Sequence, residues 1–196
     1  VDDTVLVSHS GSTGKKLTTL LTTDPAKRKT FADVVNFYQL LSLSHTKASV
    51  PNPFFFVSSS EWNLYDYLTD FFTQNKLPEG IFLLSEFKRW TAIFNLGNTK
   101  HRTKGERMRR IFEVYPNQKF ILLGDNTQKD PVIYSELANE HPDRIEAIYI
   151  RIVRKKRTQE TIATMETIKD KTVKVKLFEH TVEAIDYAVE VGIIES

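Results

Sequence analysis

Short apolar runs alternate along this chain with stretches whose apolar residues repeat at helical spacing, and this alternation constrains the fold more than any other feature. The strongest runs are Phe54–Val57, Lys119–Leu123 and Ile145–Ile150, and weaker ones lie at Thr4–Val7, Ile81–Leu84 and Val173–Phe178. Helical patterns occur at Phe31–Leu41, Trp62–Phe72, Lys104–Val114, Val132–Ala138 and Val182–Val191. Continuous apolar runs are typical of parallel strands that are buried on both faces. The alternation therefore predicts an α/β fold in which helices cover both faces of a central parallel sheet.

The length and continuity of the chain indicate one domain. Its 196 residues can bury a sizeable core, and no internal repeat or linker interrupts them, so we expect residues 1–196 to form a single domain. Two polar segments, Ser8–Lys29 and Ser85–Arg102, are expected to be small lid inserts over one end of the sheet. Gly192 follows the last helical pattern as an expected helix terminator.

Composition excludes several classes of function. The chain has no cysteine, which excludes disulfides, thiolate zinc sites and a cysteine nucleophile. It has no apolar stretch long enough to cross a membrane and no signal peptide, so we expect a cytoplasmic protein without a transmembrane segment. With 27 Lys and Arg against 25 Asp and Glu, the net charge of +2 gives no support for nucleic acid as a partner.

Polar residues accompany three of the predicted strands. They are Asp2-Asp3-Thr4, Ser58-Ser59-Ser60 and the segment Gly124–Asp130. Ligands of parallel sheets bind at the carboxyl ends of the strands, so we expect these groups to converge there. Carboxylate and hydroxyl oxygens suit Mg²⁺, and Lys104 adds a positive charge that could reach the same place. Such a set is suited to phosphoryl transfer, in which catalysis is mostly positioning and charge neutralisation.

Each of these groups also has a purely structural interpretation. Asp2-Asp3-Thr4 alone is typical of a turn or an N-cap, and Ser58–Ser60 is typical of a helix N-terminus. Gly124–Asp130 equally suits a tight turn, and Lys104 suits a solvated basic face because basic residues surround it in the sequence. The functional interpretation depends on the occurrence of all four together.

As a set, these residues resemble the haloacid dehalogenase superfamily of aspartate-nucleophile phosphotransferases. The marks of that superfamily are Asp-x-Asp-x-Thr, a Ser or Thr after the second strand, a Lys, and acidic residues after the fourth strand. More narrowly, the chain resembles the catalytic domain of the actin-patch-associated phosphatidate phosphatases of fungi and their bacterial relatives. The stretches that carry the resemblance are Val1–Thr4, Phe56–Tyr65, Phe120–Tyr134 and Ala147–Arg151. The resemblance implies a three-layer, Rossmann-like fold and Mg²⁺-dependent hydrolysis of phosphatidate to diacylglycerol and phosphate.

The resemblance also implies a role for each site residue. The nucleophilic Asp would stand immediately upstream of Val1 and form an aspartyl-phosphate, so we expect the chain to be a portion of a longer polypeptide. Asp2 is the expected general acid and base, and Thr4 would support its loop. The remaining implied roles are Mg²⁺ binding by the Asp2 carbonyl, Asp125 and Asp130, and binding of the phosphoryl oxygens by Ser58, Ser59 and Lys104.

Three other functions stay open from the sequence. A soluble phosphomonoester could replace the lipid as substrate, and a residue other than Asp before Val1 would indicate a catalytically silent scaffold that binds phosphate or lipid. The basic clusters Arg102–Arg110 and Arg151–Arg157 would suit nucleic acid, although the near-neutral total charge disfavours it. The second cluster, and an aromatic insert with Phe87, Trp90 and Phe94, are compatible with peripheral contact to an anionic membrane. A solvated charged face and the packing of a lid are the structural alternatives.

Overall fold

A computed structural model describes residues 33–85 and 99–195, without the side chains of 59–61, 85 and 99–103. Helices and strands alternate throughout both ranges, as the spacing of the apolar residues predicts. In chain order the elements are α1 (Val34–Leu43), β1 (Phe54–Glu61), α2 (Tyr65–Gln74), β2 (Gly80–Ser85), α3 (Thr99–Val114), β3 (Phe120–Asp125), α4 (Asp130–Glu140), β4 (Ile145–Arg151), α5 (Thr158–Glu166), β5 (Lys174–Phe178) and α6 (Thr181–Glu190). Short 3-10 turns, Trp62–Leu64 and Lys155–Arg157, precede α2 and α5. The chain divides into two compact units, one of residues 1–100 with 193–196 and one of residues 101–192.

The first unit contains a parallel pair of strands, β1 and β2. Phe54 lies opposite Gly80 and Val57 opposite Leu83, and the register shifts between Val57 and Glu61. The aromatic ring of Phe56 lies 4.5 Å from that of Phe72 on α2 and 5.1 Å from that of Phe82 on β2, measured between ring centroids. Helix α2 thereby packs its apolar side on the strand pair, and burial of these large rings stabilises the unit.

The second unit contains a parallel sheet with the strand order β3-β4-β5. β4 is the central strand, and its residues Ile148, Tyr149 and Ile150 are completely buried, as expected for a strand covered on both faces. Parallel strands need crossover connections, which α4 and α5 provide. Asp125 pairs with Arg151, and Arg151 pairs with Phe178, so the carboxyl ends of all three strands lie at one edge of the sheet.

The class of fold predicted from the sequence is confirmed. Every predicted strand that falls in the described ranges is present, and every pairing between them is parallel. Gly192 follows α6 with φ +71°, the left-handed conformation that ends many helices. The predicted strand Thr4–Val7 and the insert Ser8–Lys29 lie outside the described residues. The single domain and the specific haloacid dehalogenase fold stay predictions.

Three local features differ from the expectation. Ser58–Ser60 belong to β1, which continues to Glu61, so they do not form a helix N-terminus. Residues 99–102 of the expected second insert are the first turn of α3. Helix α5 was not predicted because its sequence has few large apolar residues and several β-branched threonines. Two of those threonines, Thr161 and Thr164, satisfy their hydroxyls by donating to backbone carbonyls one turn earlier.

Candidate active site

Asp125 is the last residue of β3 and is almost completely buried, with 2% of its surface exposed. Its Oδ1 atom accepts hydrogen bonds from both the backbone N–H and the hydroxyl of Thr127, at 2.7 and 2.5 Å. This local turn fixes the carboxylate at the carboxyl edge of the sheet. The sequence predicted a carboxylate at the carboxyl end of this strand, and the structure places Asp125 at that position.

Lys104 and Asp130 form a buried ion pair beside this carboxylate. The Lys104 Nζ atom donates to Asp130 Oδ1 at 2.6 Å, and the two side chains are only 11% and 6% exposed. Lys104 comes from α3, whereas Asp130 is the first residue of α4, where a negative charge also interacts favourably with the helix dipole. The interpretation of Lys104 as part of a solvated face is therefore wrong. A charge is buried in this way only when a partner compensates its loss of hydration.

Gly124 allows Asp130 to approach the end of β3. A Cβ atom at Gly124 would lie 2.8 Å from Asp130 Oδ2 and 2.8 Å from Tyr134 Cε2, too close for either contact. The Asp130 Oδ2 atom is 3.5 Å from the backbone nitrogen of Asp125, at the outer limit of a hydrogen bond, and the Tyr134 hydroxyl donates to the Leu123 carbonyl at 2.8 Å. The Gly-Asp pair is therefore explained by a close approach between α4 and β3.

Burial raises the pKa of the Asp125 carboxyl above its ordinary value of 3.8. The nearby negative charge of Asp130 raises this pKa further, and the hydrogen bonds from Thr127 lower it in part. Lys104 compensates the charge of Asp130, and Asp125 interacts electrostatically with the nearby Arg157 guanidinium.

Asn126, for which no sequence pattern indicates a role, joins the loop after β3 to the loop after β4. Its side chain is completely buried, its Oδ1 accepts from the backbone N–H groups of Val153 and Arg154, and its Nδ2 donates to the Arg154 carbonyl. Arg157 reinforces the junction by donating to the carbonyls of Asn126 and Gln128, both at 3.0 Å. A polar Asn directly after a strand-end Asp was the available signal, but its partners are distant in sequence.

The other predicted site residues are placed as follows. Asp2, Asp3 and Thr4 lie outside the described residues. Ser58 is buried in the last part of β1, in the first unit, and Ser59 follows it in the same strand. Lys104, Asp125 and Asp130 all belong to the second unit, where the structure brings them together. Across the described ranges, no cluster of three or more His, Cys, Asp or Glu side chains is arranged to hold a metal ion.

The fold and this site define an α/β protein with two buried carboxylates and a buried lysine at the carboxyl edge of a parallel sheet. Residues 1–152 match the family described as the catalytic domain of phosphatidate phosphatase APP1. Because the match covers more than half of the chain, the chain belongs to this family. The narrower resemblance, to the phosphatidate phosphatase catalytic domains, is thereby confirmed.

Two fungal relatives show the extent of the similarity. An uncharacterized protein of Schizosaccharomyces pombe is 29% identical over 157 residues, which are 78% of this chain and 24% of that protein. Phosphatidate phosphatase APP1 of Saccharomyces cerevisiae is 32% identical over 100 residues, which are 50% of this chain and 16% of that protein. The aligned parts thus span a quarter or less of these relatives. No solved structure gives a significant match to the chain.

Proposed function

We propose that this chain is a phosphatase catalytic domain that hydrolyses phosphatidate to diacylglycerol and phosphate. The observation that carries the proposal is the buried Lys104–Asp130 ion pair beside the buried Asp125, in a chain of the phosphatidate phosphatase family. A lysine held rigidly in a site of low water content can stabilise the negative charge of a transferring phosphoryl group. The described helices include none that is long and apolar enough to cross a membrane.

The proposed reaction has two displacements. An aspartate two residues before Asp2, which the family resemblance places upstream of Val1, attacks the phosphorus and breaks its bond to the glycerol oxygen. Asp2 gives its proton to that oxygen, which leaves as the hydroxyl of diacylglycerol. Asp2 then takes a proton from water as the water attacks the aspartyl-phosphate, releasing phosphate and restoring the carboxylate. Ser58, Ser59 and Lys104 hold the phosphoryl oxygens, and Asp130 positions Lys104.

The donor chemistry of the site fits Mg²⁺. Asp125 offers a buried carboxylate whose Oδ1 is oriented by Thr127. Hard divalent cations prefer such oxygen donors, usually one or two carboxylates together with water and phosphate. The backbone carbonyl of Asp2 and the upstream aspartate would complete the protein ligands, with Asp130 close by. When bound, Mg²⁺ would neutralise charge on the phosphoryl oxygens.

Phosphate release by the intact protein tests this function. Two substrates are assayed in parallel, each with and without Mg²⁺: phosphatidate in vesicles and, separately, a soluble phosphomonoester. Lys104→Gln is expected to lower kcat by roughly 10²–10³. Arg110→Gln is the matched control because Arg110 is an exposed cation on the same helix.

The outcomes separate the open alternatives. Release from the soluble ester alone would reject phosphatidate as substrate, and release that does not require a divalent cation would reject the metal assignment. No release from either substrate, together with a residue other than Asp before Val1, would favour the silent scaffold. Equal activity of the Lys104→Gln and Arg110→Gln variants would reject the proposed role of Lys104.

A further inference from the structure

The strand-end edge of the second unit also carries a basic segment, Val153–Arg157, which we call the cationic loop. It follows Arg151, the residue of β4 that pairs with Asp125 at the end of β3. The loop contains Arg154, Lys155, Lys156 and Arg157 in succession. The parallel register therefore places four consecutive cations beside the loop that holds Asp125 and Asp130.

The cationic loop is attached firmly to the candidate site. The buried Asn126 side chain binds the backbone of Val153 and Arg154 through three hydrogen bonds of 2.8 to 2.9 Å. Arg157 turns inward, where it donates to the carbonyls of Asn126 and Gln128 in the site loop. These contacts use backbone atoms of Arg154 and the side chain of Arg157. A surface that binds the loop would therefore also set the orientation of the candidate site relative to that surface.

The four cations have different surroundings. Lys155 pairs with Glu179 at 2.8 Å and Arg157 with Glu160 at 3.0 Å. Arg154 and Lys156 are exposed, and within residues 33–85 and 99–195 neither side chain has an acidic partner. Val153, directly before them, is 37% exposed and adds an apolar contact. The outward face of the loop is thus a small patch with two uncompensated positive charges.

From this arrangement we infer that the cationic loop is a docking surface for an anionic lipid bilayer, and that Arg154 and Lys156 are its contact residues. The choice of a lipid partner rests on the proposed function. Basic side chains near a negatively charged membrane each contribute to binding, and the attraction extends over roughly a Debye length. Docking through this loop would hold the carboxyl edge of β3 and β4 next to the bilayer surface that contains phosphatidate.

The patch suits a bilayer better than a nucleic acid. Nucleic-acid sites usually present an extended basic stripe, often with aromatic side chains that stack on bases. Here two carboxylates, Glu160 and Glu179, border the patch, and Val153–Arg157 contains no aromatic residue. A compact charged patch with one exposed apolar side chain can lie against headgroups without tracking a phosphate backbone.

Vesicle binding by the intact protein tests the inference without using catalysis. The probes are vesicles of phosphatidylcholine alone and of phosphatidylcholine mixed with phosphatidylserine, which is not the proposed substrate. The test variant is Arg154→Gln/Lys156→Gln, which retains the backbone contacts to Asn126. The matched control is Lys119→Gln/Lys169→Gln, which removes two exposed cations near the amino ends of β3 and β5.

The expected result is binding to the anionic vesicles that weakens with added salt. The test variant is expected to bind about 25-fold more weakly, at roughly fivefold for each cation, and the control about as well as the unmodified protein. Equal binding by the two variants, or no preference for the anionic vesicles, would overturn the inference. The inference would also be overturned if the test variant lost binding to a single-stranded RNA while its binding to vesicles stayed unchanged.

The inference and the proposed function fail differently. Phosphatidate hydrolysis with vesicle binding that does not depend on Arg154 and Lys156 overturns the docking surface alone. Binding to phosphatidylserine vesicles that requires these two residues, without phosphatidate hydrolysis, supports the docking surface and rejects the proposed function.

Discussion

Removal of the Asp130 charge is the sharpest test of the site, because it leaves Lys104 buried without its partner. The two side chains are 6% and 11% exposed and lie 2.6 Å apart, so bulk water screens their interaction only weakly. Breaking a buried pair by removing one partner costs about 3–5 kcal/mol, and Asp130→Asn, which is nearly isosteric, should lower the free energy of unfolding by that amount. Lys104→Met should be similarly destabilising, since it leaves the Asp130 carboxylate buried without its partner.

The double variant Asp130→Asn/Lys104→Met decides whether the cost comes from the ion pair. Once both charges are gone, neither is left unpaired, so the double variant should be more stable than the sum of the single changes predicts. The coupling free energy is expected to be about 2–3 kcal/mol, at the upper end of the range for contacting residues. Urea unfolding followed by tryptophan fluorescence or circular dichroism measures it. A coupling below about 0.5 kcal/mol would show that the two charges are not energetically paired.

Three further predictions concern neighbouring residues. Asp125→Asn should raise the melting temperature at pH 7 without metal, because burial disfavours the ionised carboxylate, and this gain should shrink as pH falls through the raised pKa of Asp125. Mg²⁺ should raise the melting temperature of the unmodified protein but not that of this variant. Equal responses to Mg²⁺ would reject Asp125 as a ligand. Gly124→Ala should lower the free energy of unfolding by about 1–3 kcal/mol through overpacking against Asp130. Gly105→Ala should be neutral or stabilising by up to about 1 kcal/mol, because the atom nearest to its new Cβ is the movable end of an arginine at 3.0 Å. Chemical denaturation measures both changes. Asn126→Ala should cost about 2–4 kcal/mol because three buried hydrogen bonds are lost. Asn126→Asp should cost at least as much at neutral pH, because it buries another carboxylate beside Asp125 and replaces the donor to the Arg154 carbonyl by an oxygen.

Most of the secondary structure could be predicted because it depends on short-range patterns. Continuous apolar runs such as Ile145–Ile150 are strands because β4 is buried on both faces, and burial of that kind requires an uninterrupted apolar sequence. Helix α5 escaped prediction because its threonines are accommodated by hydrogen bonds to the preceding turn, which no apolar periodicity reports.

Motif spacing also identified three residues that meet in the second unit: Lys104, Asp125 and Asp130. Each lies next to a strand or helix end, where the topology of a parallel sheet brings side chains together. All three residues lie within the part of the chain that matches the phosphatidate phosphatase catalytic domain.

Local sequence, then, was sufficient for the class of fold and for the candidate carboxylates and lysine. The tertiary structure alone decided how they are joined: that Lys104 is buried and paired with Asp130, that Gly124 is required by a close contact with α4, and that Asn126 and Arg157 tie the cationic loop to the site. The physical reason is that strands and helices follow from neighbours in sequence, whereas desolvation and ion pairing depend on groups that only folding brings together. Arg154 and Arg157 are both arginines in one basic run, yet one faces solvent and the other holds two carbonyls.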